Sequence, residues 1–246
     1  MAINDKVIYL MRLMAEHGFV TAKEVELLYN YRMVAYRCFK ALNEIKFIDS
    51  FETQLNPKTA YCLTDAGYKF LESTGKLRII KRFFKSDYRP TQFSHTISGL
   101  QARIILRKHP DVIDYRTEKV VAYYQSLNDW NEVMRKRAKQ CDAELIFKTR
   151  NGEYKVGVEI ELTAKSFKRL VGAVQSIDEN REDLYVVLWI ASDEVIIRDL
   201  QRVINRLLPH LRYPKKHLFI VWNELKSRQL DALWSNVHGQ KTKLFG

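Results

Sequence analysis

Residues 141–168 read CDAELIFKTRNGEYKVGVEIELTAKSFK, and this stretch decides the fold of the C-terminal half. Alternation over residues 142–147 marks a strand. Asn151-Gly152 is the strongest short-range hairpin signal, because a tight two-residue turn needs left-handed backbone at both positions. A second strand over residues 154–162 follows directly. Antiparallel pairing sets the start of the first strand against the far end of the second. Asp142 is therefore expected near Glu159 and Glu161. Side chains two apart on a strand share a face. Glu159 and Glu161 then point one way, while Val158, Ile160 and Leu162 point the other way into a core.

Three carboxylates converging on a central strand repel one another and resist desolvation. A divalent cation with oxygen ligands, Mg²⁺ or Mn²⁺, removes that cost, with Asp142, Glu159 and Glu161 as its candidate ligands. Such an ion orients a phosphodiester and stabilises charge developing on it. Lys165 follows at or just before a helix predicted over residues 166–177, and Lys168 and Arg169 come a turn later. A cation there is placed to hold a scissile phosphate, so Lys165 is the fourth candidate catalytic residue. The competing reading of a Glu-x-Glu is a solvated strand face. The upstream Asp142, the hairpin and Lys165 together favour the site.

The rest of the C-terminal half reads as α/β. A helix after Pro90, starting near residue 92 or 94 and running to 107, has Ile97, Leu100, Ile104 and Ile105 as its buried side. Residues 112–115 and 119–123 look strand-like, and a charged stretch over 125–140, with Arg135, Lys136, Arg137 and Lys139, fits an exposed loop or short helix. Downstream come a strand over 184–190, a helix over 194–208, a strand over 218–222 and a last helix over 226–234. Helices covering a mixed sheet are the expected result. Arg198, Arg202 and Arg206 recur every four residues, which makes one basic helix stripe, either a second DNA-facing surface or a solvated face.

Working outward to the first ninety residues, the pattern changes to helices. Residues 5–16 carry Val7, Leu10, Met11 and Met14 at helical spacing, with Asp5 as a cap and Gly18 as the stop. Thr21 with Glu24 is a capping box that opens a short helix. A third helix over 32–45 has Val34, Ala35, Phe39, Leu42 and Ile45 on one side and Arg32, Tyr36, Arg37 and Lys40 on the other. Two short strands, 47–51 and 59–63, flank a polar turn containing Pro57 and Lys58, and Thr64 caps a closing helix. Helix, short helix, basic helix, hairpin and helix resembles a winged helix-turn-helix domain, whose last helix of the trio enters the DNA major groove. Arg32, Tyr36, Arg37, Lys40 and Lys58 are its candidate DNA contacts, joined by Lys168 and Arg169. Three-helix modules of this kind also serve protein contacts.

The chain of 246 residues carries a net charge of +12, from 41 basic and 29 acidic residues. The first ninety residues hold 15 Lys+Arg against 10 Asp+Glu, so both halves are basic and either can meet a polyanion. A basic stretch over 76–91, with Lys76, Arg78, Lys81, Arg82, Lys85 and Arg89, is read as a connector between domains at 1–75 and 92–246. Three cysteines at wide spacing imply buried thiols rather than disulfides or structural zinc. No apolar run is long enough to span a bilayer, and the N-terminus lacks the pattern of a signal peptide, so a cytoplasmic protein without membrane insertion is expected.

The order of strand with Asp, hairpin, strand with Glu-x-Glu, helix with Lys resembles the PD-(D/E)XK core of restriction-type endonucleases. In that family an Asp and a Glu bind metal and a nearby Lys assists. Here Cys141 stands where Pro usually precedes the Asp, and Glu161 stands at the usual Lys position, with Lys165 as the matching candidate on the following helix. The winged helix followed by VEIELTAKS is similar to replication-relaxation proteins and to MobC-type (MOB-C group) plasmid relaxases. That resemblance implies nicking of one DNA strand at a transfer origin, with accessory and coupling proteins as partners. The rival readings are a winged-helix replication or copy-control regulator with a decayed nuclease fold, and a nuclease of another role. Glu118 and His95 are further candidates, and Gln175 lies on the helix after Lys165. Tyr123, Tyr124, Tyr154 and Tyr185 have no flanking pattern that marks a covalent nucleophile, so metal-activated attack is preferred and covalency stays open.

Overall fold

The computed structural model describes residues 4–56, 58–79, 81–127, 141–150, 152–212 and 216–244. Pro57, Asn151 and the cations of the charged stretch at 135–139 lie outside the described residues. The chain separates into two compact units, residues 1–104 with 122–124, and residues 105–121 with 125–246. Among the described residues no helix is long and apolar enough to cross a membrane.

The first unit opens with α1 (Asp5–His17), α2 (Ala22–Tyr29) and α3 (Arg32–Glu44). Asn4, rather than Asp5, caps α1, its side chain accepting from Val7 N, and Asp5 sits in the first turn, where a negative charge suits the helix dipole. Thr21 and Glu24 form the capping box of α2. Asn30 turns the chain with φ of 59°, a left-handed conformation that Asn tolerates, and α3 starts two residues later. Strands β1 (Ile48–Glu52) and β2 (Thr59–Leu63) pair antiparallel, and α4 (Asp65–Ser73) closes the motif under a Thr64 cap.

Residues 76–91 belong to this unit. Phe19 gathers the rings of Phe51, Phe83, Tyr88 and Phe93 around it, with centroids 5.7 to 5.8 Å away. Three of its cations are tied to acids of the same unit: Arg82 to Asp65 and Glu72, Lys85 to Asp49, and Arg78 to Glu16. Helix α5 (Pro90–Leu106) follows, with Pro90 at its first position, where the missing N–H is no loss. From α5, Arg103 reaches Glu16 in an ion pair with both side chains almost fully buried. Arg103, Arg78 and Arg12 outweigh the burial that opposes ionisation, and hold the Glu16 carboxyl below the usual carboxylate range.

The second unit is built on a seven-stranded sheet. Its strands are β3 (Val112–Thr117), β4 (Ala143–Thr149), β5 (Gly152–Glu161), β6 (Leu184–Ala191), β7 (Lys216–Val221), β8 (Leu233–Ser235) and β9 (Lys241–Lys243), in that spatial order. The first three pair antiparallel, β5, β6 and β7 run parallel, and β8 and β9 return to antiparallel pairing. Helices α7 (Phe167–Asn180) and α8 (Glu194–Leu207) make the crossovers of the parallel part. Leu170, Val174 and Ile177 of α7 and Ile196, Ile197, Leu200 and Ile204 of α8 pack with Val187, Trp189 and Phe219 of the sheet.

Two elements differ from the sequence expectation. Residues 119–123 are not a strand but part of α6 (Glu118–Leu127). Thr117 Oγ1 accepts from Val120 N, a cap that starts a helix despite the β-forming Val120, Val121, Tyr123 and Tyr124. The last helix is α9 (Trp222–Arg228), and residues 233–235 form β8 instead of continuing it. Gln229 ends the helix with φ of 51°, and Trp234 is buried on the sheet.

Candidate active site and nucleic-acid interface

Strand β5 is buried from Val156 to Glu161, as expected for a central strand covered on both faces. Val158 and Ile160 alternate with Glu159 and Glu161, and each carboxylate residue is only 2% exposed. In the parallel register Glu159 lies beside Trp189 and Glu161 beside Ala191, both members of the apolar layer under α7 and α8. Two carboxylates thus enter a largely apolar layer that also holds the Cys141 thiol and, against Trp189, the His217 imidazole, whose Nδ1 accepts from the indole N–H at 3.0 Å.

Asp142 immediately precedes β4, whose Ala143 pairs with Val158. Its Oδ2 accepts a hydrogen bond from Ile160 N at 2.8 Å, midway between the two glutamates. The hairpin register therefore brings Asp142 to the strand that carries Glu159 and Glu161. Glu118, at the start of α6, donates its backbone N–H to the Asp142 carbonyl at 3.1 Å, so this exposed acid adjoins the same corner. His95 and the pair Tyr123 and Tyr124 fall in the first unit. Tyr154 and Tyr185 face each other with ring centroids 5.7 Å apart, and Tyr185 is exposed.

Lys165 Nζ donates to Glu161 Oε1 across the turn before α7. The lysine is partly exposed and the glutamate is not. Lys168 and Arg169 follow in the exposed first turn of α7, and Gln175 is exposed farther along. Among the described residues no three of His, Cys, Asp and Glu are already arranged as metal ligands. Lys165 bonds to one oxygen of Glu161, and the Ile160 N–H bonds to one oxygen of Asp142. The donor chemistry nevertheless fits a hard divalent cation, since every candidate ligand is a carboxylate oxygen.

Sequence reasoning missed a buried ion pair beside these groups. Glu144, two residues from Asp142 on β4, is opposite Gly157 and bonds to Arg181 Nη2 at 2.5 Å with both side chains nearly inaccessible. Arg181 also reaches Asp183 at 3.0 Å. Burial alone would push the guanidinium down, but hydrogen bonding to Asp183 and the charge of Glu144 hold it above its ordinary value. The Glu144 side chain was legible, since residues 142 and 144 share a strand face. Its partner was not, because Arg181 lies just past the end of α7, and no spacing rule links it to β4. Burial and the negative charge of Glu159 push the Cys141 thiol well above its usual range, so this cysteine is an inert neighbour rather than a nucleophile.

In the first unit, α3 buries Ala35, Cys38, Phe39 and Leu42. Its opposite side exposes Arg32, Arg37 and Lys40 together with Tyr36, which is 61% exposed, and Met33, 59% exposed. Arg32 approaches Glu26 at 3.8 Å and Lys40 approaches Glu44 at 4.0 Å. Such surface pairs contribute at most about 1 kcal/mol and yield readily to a phosphate. Alongside α3 runs an open cavity of about 400 Å³ that reaches Ala22 and Glu26 of α2 and Tyr61 of β2. Tyr61 stacks on Phe39 with centroids 4.0 Å apart, which fixes the hairpin against the helix. Lys58 is exposed in the hairpin loop, with its carbonyl bonded to Thr53 N.

Comparison with protein-family models, with curated proteins and with solved structures found no match for this chain.

Proposed function

We propose that this chain is a metal-dependent DNA endonuclease that nicks one strand, with residues 1–75 acting as a winged helix and the second unit as a PD-(D/E)XK-like core. The observation that carries the reading is the hydrogen bond from Ile160 N to Asp142, which ties that acid to the β5 backbone between the two glutamate positions. The sheet supports it too: β3, β4 and β5 pair antiparallel and β6 adds parallel to β5, with Asp142 just before β4 and Glu159 and Glu161 on β5.

Asp142, Glu159 and Glu161 would hold Mg²⁺ or Mn²⁺. When bound, such an ion polarises a phosphodiester and favours attack by hydroxide. Lys165 balances the charge of Glu161 and is the partly exposed cation that bonds directly to one of the candidate acids. Arg181 neutralises Glu144, which shares the strand face of Asp142, and so keeps that buried acid from adding charge to the site. The exposed side of α3, with Arg32, Tyr36, Arg37 and Lys40, reads the DNA, and Lys58 reaches the backbone from the hairpin. The biological role that the sequence resemblance implies is that of a cytoplasmic plasmid relaxase acting at a transfer origin with accessory and coupling proteins.

A nicking assay on supercoiled plasmid, with and without Mg²⁺ or Mn²⁺, tests the proposal. Open circles should form with metal and vanish with EDTA. Glu159→Ala and Glu161→Ala should abolish nicking while DNA binding persists. Nicking by both variants at the wild-type rate would overturn the site.

One finding favours a second reading, a DNA-binding replication or copy-control regulator. Glu161 and Glu144 already have internal counter-ions, so the fold needs no bound metal to tolerate them. Metal-independent DNA binding without any cleavage would select that reading.

A further inference from the structure

We propose that the outer face of α8, together with the first turn of α7, is a second DNA contact that grips the phosphodiester backbone without reading sequence. The inference rests on the DNA-cleaving reading above and names how the second unit would hold its substrate.

Helix α8 is sharply two-sided. Ile196, Ile197, Leu200, Val203 and Ile204 are buried against the sheet. Arg198, Arg202 and Arg206 are all exposed, and residues four apart lie on one helix face. With a rise of 1.5 Å per residue, they spread along roughly 12 Å of surface. Like charges at this spacing destabilise a helix by about 0.2–0.5 kcal/mol per pair. The repulsion within the stripe is a cost to the helix, offset in part by Glu194 four residues before Arg198 and Asp199 three before Arg202. The helix dipole favours Arg206 in the last turn but gives no reason for Arg198 or Arg202.

The stripe extends onto α7. The Arg206 guanidinium lies over the ring of Phe167, 5.7 Å from its centroid. Phe167 is itself 46% exposed, and Lys168 and Arg169 beside it are exposed as well. Three carboxylates accompany these five cations. Asp199 pairs with Arg202 at 3.3 Å, Glu194 precedes Arg198 by one turn, and the N-cap Asp193 lies near enough to Arg198 to feel its charge. The Asp199 pair is solvent-exposed and offers little resistance to exchange for a phosphate. Guanidinium forks match phosphate oxygens in pairs, which suits Arg rather than Lys for this task.

The location links the surface to the acids. Ser192 N, just before α8, donates to the Glu161 carbonyl at 3.0 Å. A strand held along α8 and the start of α7 would run beside the end of β5, where Glu161 and Lys165 lie.

The test uses the full chain and a fluorescent duplex of random sequence, with affinity measured by anisotropy across a salt series. Arg198→Gln, Arg202→Gln and Arg206→Gln are combined in one variant, and Arg37→Gln on α3 is the comparator. Each lost phosphate contact lowers the slope of log K against log salt by roughly 0.9. The triple variant should therefore lower the slope by about 2 to 3 and weaken binding at least tenfold at low salt, with an unchanged melting temperature. Wild-type slope and affinity in the triple variant, with binding lost in the comparator, would show a solvated helix face and overturn this proposal alone. A wild-type chain that binds no duplex would overturn the DNA reading and this proposal with it.

Discussion

Lys165 Nζ meets Glu161 Oε1 across the turn that joins β5 to α7, so the only partly exposed member of the pair is the cation. This arrangement gives Lys165 two separable duties. It offsets a buried negative charge, and it presents a positive one to the surface.

Replacement of Lys165 by Ala should reduce nicking by about 10²-fold, the cost of removing one preorganised charge partner of a reacting phosphate. DNA affinity should change less than threefold, because the proposed DNA surfaces, the exposed side of α3, the hairpin loop and the arginine stripe of α8, do not include Lys165. Lys165→Arg should restore part of the rate. Single-turnover nicking beside a gel-shift titration separates the two effects. A loss of affinity equal to the loss of rate would move Lys165 from catalysis to binding.

How much of this was legible in the sequence depends on the range of the forces involved. The meeting of Asp142 with the Glu159 strand followed from a side-chain period of two and a tight turn, both local. The capping box at Thr21 and Glu24 was local too. α6 was misread because Val120, Val121, Tyr123 and Tyr124 favour strands, while the deciding cap comes from Thr117 at the end of β3. The short β8 and β9 have three residues each, too few to show a period. Arg181 was invisible because its partner Glu144 is set by tertiary packing.

The exposed face of α3 makes a clean test of DNA binding, because its side chains contribute little to the core. Arg37→Ala and Tyr36→Ala should each weaken binding to a cognate duplex about tenfold or more, within the 1–3 kcal/mol of a direct contact. Melting temperatures should stay within error of the wild type, since both residues are exposed. Unchanged affinity in both variants would assign α3 to protein contact.

Gly67 tests the hairpin-to-helix corner. A Cβ there would lie 2.3 Å from the backbone oxygen of Phe47, a group that also accepts from Thr64 N and cannot swing aside. Gly67→Ala should cost on the order of 1–3 kcal/mol through forced backbone shifts. Thr64→Ala, which removes the cap of α4 and the hydroxyl's bond to the Lys46 carbonyl, should cost about 1–2 kcal/mol. Urea unfolding gives both values, and a neutral Gly67→Ala would show that the corner relaxes.

Glu16 is held by Arg103, Arg78 and Arg12 inside the first unit. Its carboxyl lies below the usual range, so the folded state binds its proton less tightly than the unfolded chain. Its contribution is complete above the unfolded carboxylate value, roughly pH 4, and is lost as pH falls through the lower folded value. Glu16→Gln at neutral pH leaves Arg103 buried against an uncharged amide, and breaking a buried pair in this way costs about 3–5 kcal/mol. The stability gap between wild type and variant should therefore be widest near neutral pH and narrow steadily below pH 4. Urea midpoints of the two proteins from pH 7 downward check this. A gap that stays constant with pH would mean that Glu16 acts through its shape and hydrogen bonds, not its charge.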